Sequence, residues 1–204
     1  DRDVFQKITR RDFLDDTLAG IKKAMKYPNV QLKINCVPLG IEEQNLCEIA
    51  EFACKYPVHV RFIERMPIGY GSSFTGMSQE KIVSLLEERF GRLVPYEGEP
   101  LGNGPCKYYI VKGFQGKIGF ISAISHKFCS ECNRIRLTSQ GYLKTCLQYT
   151  AGRDLRAVLR NDGTDEELKE IIKAALSEKP DGHHFREKVK EDDTESLCMS
   201  QIGG

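Results

Sequence analysis

Val58-His59-Val60-Arg61-Phe62-Ile63 alternates apolar with polar side chains, and so does the earlier run Val30-Gln31-Leu32-Lys33-Ile34-Asn35-Cys36. Period-two alternation predicts strands, with Val58, Val60 and Phe62 on one face and His59 and Arg61 on the other. In the earlier run Val30, Leu32, Ile34 and Cys36 share a face, opposite Gln31, Lys33 and Asn35. Leu46, Ile49, Ala50 and Ala53 recur between them at helical spacing and stop near Pro57. Upstream, Leu14, Leu18, Ile21 and Met25 predict an amphipathic helix over about residues 12–26, ended by Pro28 and Asn29. Helix–strand–helix–strand is α/β grammar, with parallel strands joined by crossover helices. A doubly wound sheet buries both faces and reads as near-continuous apolar sequence. Here one face stays polar, which suits a partial barrel whose outer face lies under helices and whose inner face looks into a lumen. Two strands cannot close a barrel, so further strands are expected upstream of Asp1.

Beyond the loop Pro67-Ile68-Gly69-Tyr70-Gly71-Ser72-Ser73 the grammar changes. Ile82, Leu85, Leu86 and Phe90 predict a helix near 78–90, and residues 107–143 read as short strands punctuated at Gly113, Gly116 and Gln140-Gly141. Helices are expected near 153–160 and 165–177, the second opened by a capping box of Thr164 with Glu167. Residues 187–196 are charged and weakly periodic, which predicts a mobile segment.

Composition narrows the partner classes. The 204 residues carry a formal net charge of +1, so any anion site must come from local clustering of Lys and Arg. No apolar run approaches the roughly 18–20 residues that cross a bilayer, and no membrane or nucleic-acid partner is expected. The eight Cys are unevenly spaced, and the start Asp1-Arg2-Asp3-Val4-Phe5 is not a signal peptide. That favours a reducing, cytoplasmic setting over a disulfide framework.

Cys129-Ser130-Glu131-Cys132 is a C-x-x-C pair, and thirteen residues separate Cys132 from Cys146. Two thiolates three apart grip one centre from a tight turn, and a third closes the site; zinc and iron–sulfur both suit thiolates. A structural zinc site wants four ligands, for which His126, Cys106 or Cys198 are candidates; a 4Fe–4S cluster on three Cys keeps one iron open. If Asn133-Arg134-Ile135-Arg136-Leu137 is a strand, Arg134 and Arg136 project together as an anion clamp. Lys33 and Arg61 on the polar strand faces are costly unless they meet an anion or a carboxylate. With Arg134 and Arg136 they suggest one basic cavity.

The run Phe128-Cys129-Ser130-Glu131-Cys132-Asn133-Arg134-Ile135-Arg136-Leu137-Thr138, followed by Gly141-Tyr142-Leu143 and Cys146-Leu147, resembles the second-cluster motif of the GTP 3′,8-cyclase family of molybdenum-cofactor biosynthesis. Val60-Arg61-Phe62-Ile63-Glu64-Arg65-Met66-Pro67, Gly104-Pro105 with Tyr108, and the terminal Gly203-Gly204 extend the resemblance over essentially the whole chain. It implies an incomplete TIM-type radical-SAM barrel, here residues 1–76. An α+β extension over 77–190 would carry the cysteine cluster, and 191–204 would form a mobile tail. It further implies that Cys129, Cys132 and Cys146 hold a substrate-side 4Fe–4S cluster, that Arg134 and Arg136 hold GTP phosphates, and that Lys33 contacts GTP. Arg61 would line the same cavity, Met66 would contact S-adenosylmethionine, and Gly203 and Gly204 would reach the reacting groups. The implied partners are GTP, a downstream cyclic pyranopterin monophosphate synthase, and a second copy in a homodimer.

The C-x-x-x-C-x-x-C motif of the family's radical-generating cluster occurs nowhere in the sequence. Cys47 and Cys54, seven apart on a predicted helix, and Cys36 on an apolar strand face read as small core residues. The expectation is a fragment that is inactive by itself. Two alternatives remain open: a zinc or nucleic-acid module without catalysis, and another radical-SAM enzyme with an auxiliary cluster.

Overall fold

A computed structural model describes residues 1–185 and 195–202. The protein is α/β. In chain order it contains helices α1 (Arg2–Thr9) and α2 (Leu14–Ala24), strand β1 (Lys33–Cys36), helix α3 (Leu46–Lys55), strand β2 (His59–Ile63), helix α4 (Gln79–Phe90), and strands β3 (Leu93–Pro95), β4 (Lys107–Val111) and β5 (Ile118–Ile121). Strands β6 (Arg136–Leu137), β7 (Tyr142–Lys144) and β8 (Gly152–Asp154) follow, then helices α5 (Leu155–Arg160) and α6 (Asp165–Ser177). Contacts divide the chain into one compact unit of Asp1–Arg65 with Phe74–Ser125, and a second of Met66–Ser73 with His126–Gly204.

The first unit is built on a five-stranded mixed sheet in the order β1-β2-β5-β4-β3. β1, β2 and β5 run parallel, as the crossover grammar predicts, while β4 and β3 add antiparallel strands. The sheet therefore continues past residue 76, where a segment boundary was expected. One face is apolar: Ile34, Cys36, Val60, Phe62, Ile118 and Phe120 pack with Leu46, Ala50 and Ala53 of α3 and Ile82 and Leu86 of α4. Burial of such a face is the main favourable term in folding. Phe62 and Phe120 stack at 5.9 Å between ring centroids, and Tyr109 meets Phe120 edge-on at 5.6 Å. The opposite face carries Lys33, Asn35, His59 and Arg61, the polar set of the alternation.

The earlier strand is shorter than its alternation suggests. Val30 closes a turn, its amide donating to the Tyr27 carbonyl at 3.0 Å, and its side chain stays exposed, so the ladder begins only at Lys33. α4 starts at an Ser78 cap and ends at Gly91, close to the predicted span. The capping box is present: the Thr164 hydroxyl accepts from the Glu167 amide, and the Glu167 carboxylate accepts from the Thr164 amide.

The second unit holds the antiparallel sheet β6-β7-β8, with α5 and α6 closing on it through Leu143, Leu155, Leu168, Ile171, Ile172 and Ala175. Residues 153–154, expected at the start of a helix, belong to β8; Asp154 is the cap of α5. Ile202, after a 3-10 turn at Met199–Gln201, is fully buried. Of the expected mobile segment, residues 187–194 lie outside the described residues, as do Gly203 and Gly204 of the expected 191–204 tail.

Candidate active-site residues

On the polar face of the first unit, register sets which side chains are neighbours. Lys33 stands opposite His59, and Asn35 opposite Arg61, which in turn stands opposite Gly119 and, one strand on, Tyr108. Each cation is held by a neutral acceptor. Lys33 Nζ donates to the Leu101 carbonyl, and Arg61 Nε donates to Asn35 Oδ1 at 2.8 Å. Neither forms an ion pair with a carboxylate among the described residues.

His59 is buried between these cations. Its Nδ1 accepts from the Lys117 amide at 3.1 Å, which assigns the proton of the neutral ring to Nε2. Its pKa is pulled down to about 4, first by burial and then by the charges of Lys117, Lys33 and Arg61. Tyr108, edge-on to His59 at 5.6 Å, has a phenol pushed up to about 12, chiefly by burial and by Cys106. Burial also raises the Cys106 thiol, against the opposing pull of Tyr108, Arg61 and Lys33. The sequence carried a signal for His59, which shares the polar face by alternation. Tyr108 became a neighbour of Arg61 only through antiparallel pairing that its local pattern does not reveal.

In the second unit Cys129 and Cys132 bracket a 3-10 turn, Cys129–Glu131, closed by the Cys132 amide on the Cys129 carbonyl at 3.1 Å. Arg134 lies on irregular chain, because the strand begins only at Arg136, so one ladder does not aim both guanidiniums. The segment after α6 braces this loop. Lys179 Nζ donates to the carbonyls of Cys132 at 2.6 Å and Arg134 at 2.9 Å, and Lys127 Nζ donates to the His183 carbonyl at 2.9 Å. Gly182 lies beside Cys129, where an added Cβ would stand in ordinary contact with Cys129 Cβ at 3.7 Å. Nothing local in the sequence marks Lys179 or Gly182 as partners of the cysteine loop.

Cys129, Cys132 and Cys146 are unbridged and partly exposed, whereas Cys36 is buried, with its thiol pushed up to about 12 by that burial. Among the described residues no three His, Cys, Asp or Glu side chains converge on one point as ligands of a single metal ion would. A multi-iron cluster takes each thiolate at a different iron, so three free, partly exposed thiols, two of them on one turn, fit its donor chemistry without such convergence. Met66 is half-buried, its carbonyl accepting from the Ile68 amide at 2.9 Å. Among the described residues no helix is long and apolar enough to cross a membrane.

These features define a thiol-bearing α/β protein with a cationic sheet face. Residues 58–185 match the family model of the Molybdenum Cofactor Synthesis C domain, and the chain belongs to that family. It is 44% identical, over 99% of its own length and 62% of the relative's, to a GTP 3′,8-cyclase of Clostridium perfringens strain 13. It is 39% identical to the GTP 3′,8-cyclase of Syntrophomonas wolfei over 98% of its length and 61% of that protein. It is 37% identical to molybdenum cofactor biosynthesis protein 1 of Dictyostelium discoideum over 89% of its length and 29% of that protein. The chain thus spans about three fifths of the length of the cyclases it matches.

Proposed function

We propose that this chain is the substrate-binding portion of a GTP 3′,8-cyclase, a radical-SAM lyase of molybdenum-cofactor biosynthesis that converts GTP to 3′,8-cyclo-7,8-dihydro-GTP. The observation that carries the reading is the state of Lys33 and Arg61. Both stand on one sheet face, held by neutral oxygens, with their charge uncancelled by any described carboxylate. Cations so placed await an anion, and a triphosphate supplies one. The relatives named GTP 3′,8-cyclase support the same substrate.

In this reading the five-stranded sheet is part of the incomplete TIM-type barrel, and its polar face looks into the lumen. Lys33 has donors to spare beyond the one on Leu101, and Arg61 keeps further guanidinium N–H groups beyond its Nε on Asn35 for a phosphate oxygen. Arg134 and Arg136 contact GTP phosphates, and Met66 contacts S-adenosylmethionine. Cys129, Cys132 and Cys146 hold the substrate-side 4Fe–4S cluster, which when bound supplies a Lewis-acidic iron for the guanine base. The residues of this chain include no C-x-x-x-C-x-x-C motif to hold the radical-generating cluster, so the chain by itself does not start the radical chemistry. Gly203 and Gly204 reach the reacting groups. The enzyme works in the cytoplasm as a homodimer and passes its product to a cyclic pyranopterin monophosphate synthase.

The test is equilibrium binding of GTP to the complete enzyme. Arg134→Ala and Arg136→Ala should each weaken it by about 1.5–3 kcal/mol, the scale of charge-assisted bonds. Guanosine, which lacks phosphates, should lose little with the same changes. Wild-type GTP affinity in both variants overturns the reading.

A further inference from the structure

Arg61 is reached from two sides along one row of the sheet. From β1, Asn35 Oδ1 accepts from Nε at 2.8 Å. From β4, Tyr108 stands in the same row, with its ring lying over Gly119 and its phenol interacting with Arg61 and Cys106. Register explains the convergence: Asn35 pairs with Arg61, Arg61 with Gly119, and Gly119 with Tyr108, so the four share one row across β1, β2, β5 and β4.

Gly119 makes the row possible. A Cβ there would lie 2.6 Å from Cys106 Sγ and 3.0 and 3.1 Å from Tyr108 Cε1 and Cδ1. The space a side chain would fill is occupied by the tyrosine ring and the thiol instead. The ring is further fixed by the edge contact with His59 at 5.6 Å. A guanidinium has no acceptor, so Arg61 donates and the phenol oxygen accepts. The phenol hydrogen is then left to face Cys106, with which the phenol interacts.

We propose that Tyr108, laid over Gly119, is a positioning residue that together with Asn35 aims the Arg61 guanidinium at an oxyanion while leaving its charge uncancelled. This rests on the reading of Arg61 as a phosphate contact. Two carboxylates in the places of Asn35 and Tyr108 would hold the guanidinium as firmly but would neutralise it. A neutral amide and a protonated phenol orient it and leave the full charge for the ligand. Lys33 follows the same rule, with a main-chain carbonyl as its partner.

The experiment is a set of GTP and guanosine dissociation constants on the complete enzyme carrying Arg61→Ala, Tyr108→Phe, Asn35→Asp and the double change Arg61→Ala with Tyr108→Phe. Iron content is measured alongside as a check on folding. Tyr108→Phe should raise the GTP dissociation constant by about tenfold, within the range for one hydrogen bond to a charged group, and leave guanosine unchanged. The double variant should lose no more than Arg61→Ala alone, because Tyr108 acts only through Arg61. Asn35→Asp keeps the geometry and adds a counter-charge, so it should also weaken GTP; a purely structural bond would not predict this. If Arg61→Ala binds GTP as the wild type does, the phosphate reading itself fails. If Arg61→Ala loses affinity while Tyr108→Phe and Asn35→Asp retain it, the phosphate reading stands and the positioning role is overturned.

Discussion

The basic sheet face and the cysteine loop reach ordered geometry by opposite routes. In the first unit, register does the aiming: Asn35, Arg61, Gly119 and Tyr108 are neighbours because four strands pair in one way. In the second, Cys129, Cys132 and Arg134 stand on a 3-10 turn and irregular chain, held from outside by Lys179 on the carbonyls of Cys132 and Arg134. Strands suit a cation that must point one way across a broad face. A loop suits ligands that must wrap around one centre. The thiols divide the same way. Cys36, on the apolar strand face, is buried and hard to ionise, whereas the three loop cysteines are partly exposed. A metal ligand must be a thiolate, so burial of this kind marks Cys36 as a packing cysteine and not a binding one.

The largest expected effect tests that separation. Anaerobic reconstitution with iron and sulfide should load about four irons onto the loop cysteines. Cys129→Ser, Cys132→Ser or Cys146→Ser should each remove most of that iron. Cys36→Ala should retain it while costing stability. Stoichiometric zinc that iron does not displace would sink the cluster reading, and a folded Cys36→Ala variant without iron would sink the division between the thiols.

A second contrast sets two ion pairs against each other. Lys55 and Glu51 on α3 pair at 2.5 Å with side-chain exposures of 62% and 26%, whereas Lys144 of β7 and Glu195 pair at 3% and 4%. Glu195 is also held by its own amide on the Gln148 carbonyl at 2.7 Å, and Lys144 by the Tyr149 carbonyl at 2.7 Å. Burial disfavours the Glu195 charge, but the bonds from Lys144 and the Leu197 amide outweigh it and leave its pKa lowered. Register also puts Arg136 directly opposite Lys144, a like-charge pairing that Glu195 relieves. Lys144→Met would strand a buried carboxylate and should cost about 3–5 kcal/mol in denaturant unfolding, with much of the loss recovered by adding Glu195→Leu. Lys55→Met should cost about 1 kcal/mol or less. Equal costs would mean that the buried pair is open to water in solution.

Periodicity made much of the first unit legible. Alternation located β2 and its polar face, helical spacing located α3 and α4, and one pair, Thr164 with Glu167, located the start of α6. What failed was short or non-local. β3 is three residues ending in a proline, and β8 is three residues read as the start of a helix; neither is long enough to show a period. The Val30–Leu32 alternation was overridden by the turn on Tyr27. The cysteine spacing was plain, but its support was not: Lys179 and Gly182 lie some fifty residues along the chain, and only tertiary contact joins them to the loop. Sequence likewise marked Arg61 as a costly cation yet could not say that its partners would be an amide and a phenol, which depends on how β4 pairs with β5.

The smallest expected effect uses His59 as a reporter of that cationic face. Its folded pKa is about 4, against about 6.5 in an unfolded chain. Below pH 6.5 the unfolded chain takes up a proton that the folded ring refuses. Stability should therefore fall as pH drops from about 6.5 toward 4 and level off below that. The full shift corresponds to at most about 3 kcal/mol. His59→Asn removes the titration and keeps an oxygen near Nδ1 to accept from the Lys117 amide. The stability gap between wild type and His59→Asn should therefore be widest near neutral pH and shrink toward pH 4. Other groups titrate in both proteins and cancel in the difference. Arg61→Ala removes one of the three cations that depress the ring, so the imidazole resonance should titrate at higher pH in that variant. GTP bound to the complete enzyme should act in the same direction, because a triphosphate beside Lys33 and Arg61 offsets their charge. Parallel pH profiles for wild type and His59→Asn would show that the ring is hydrated in solution and that the sheet face is less cationic than the structure describes.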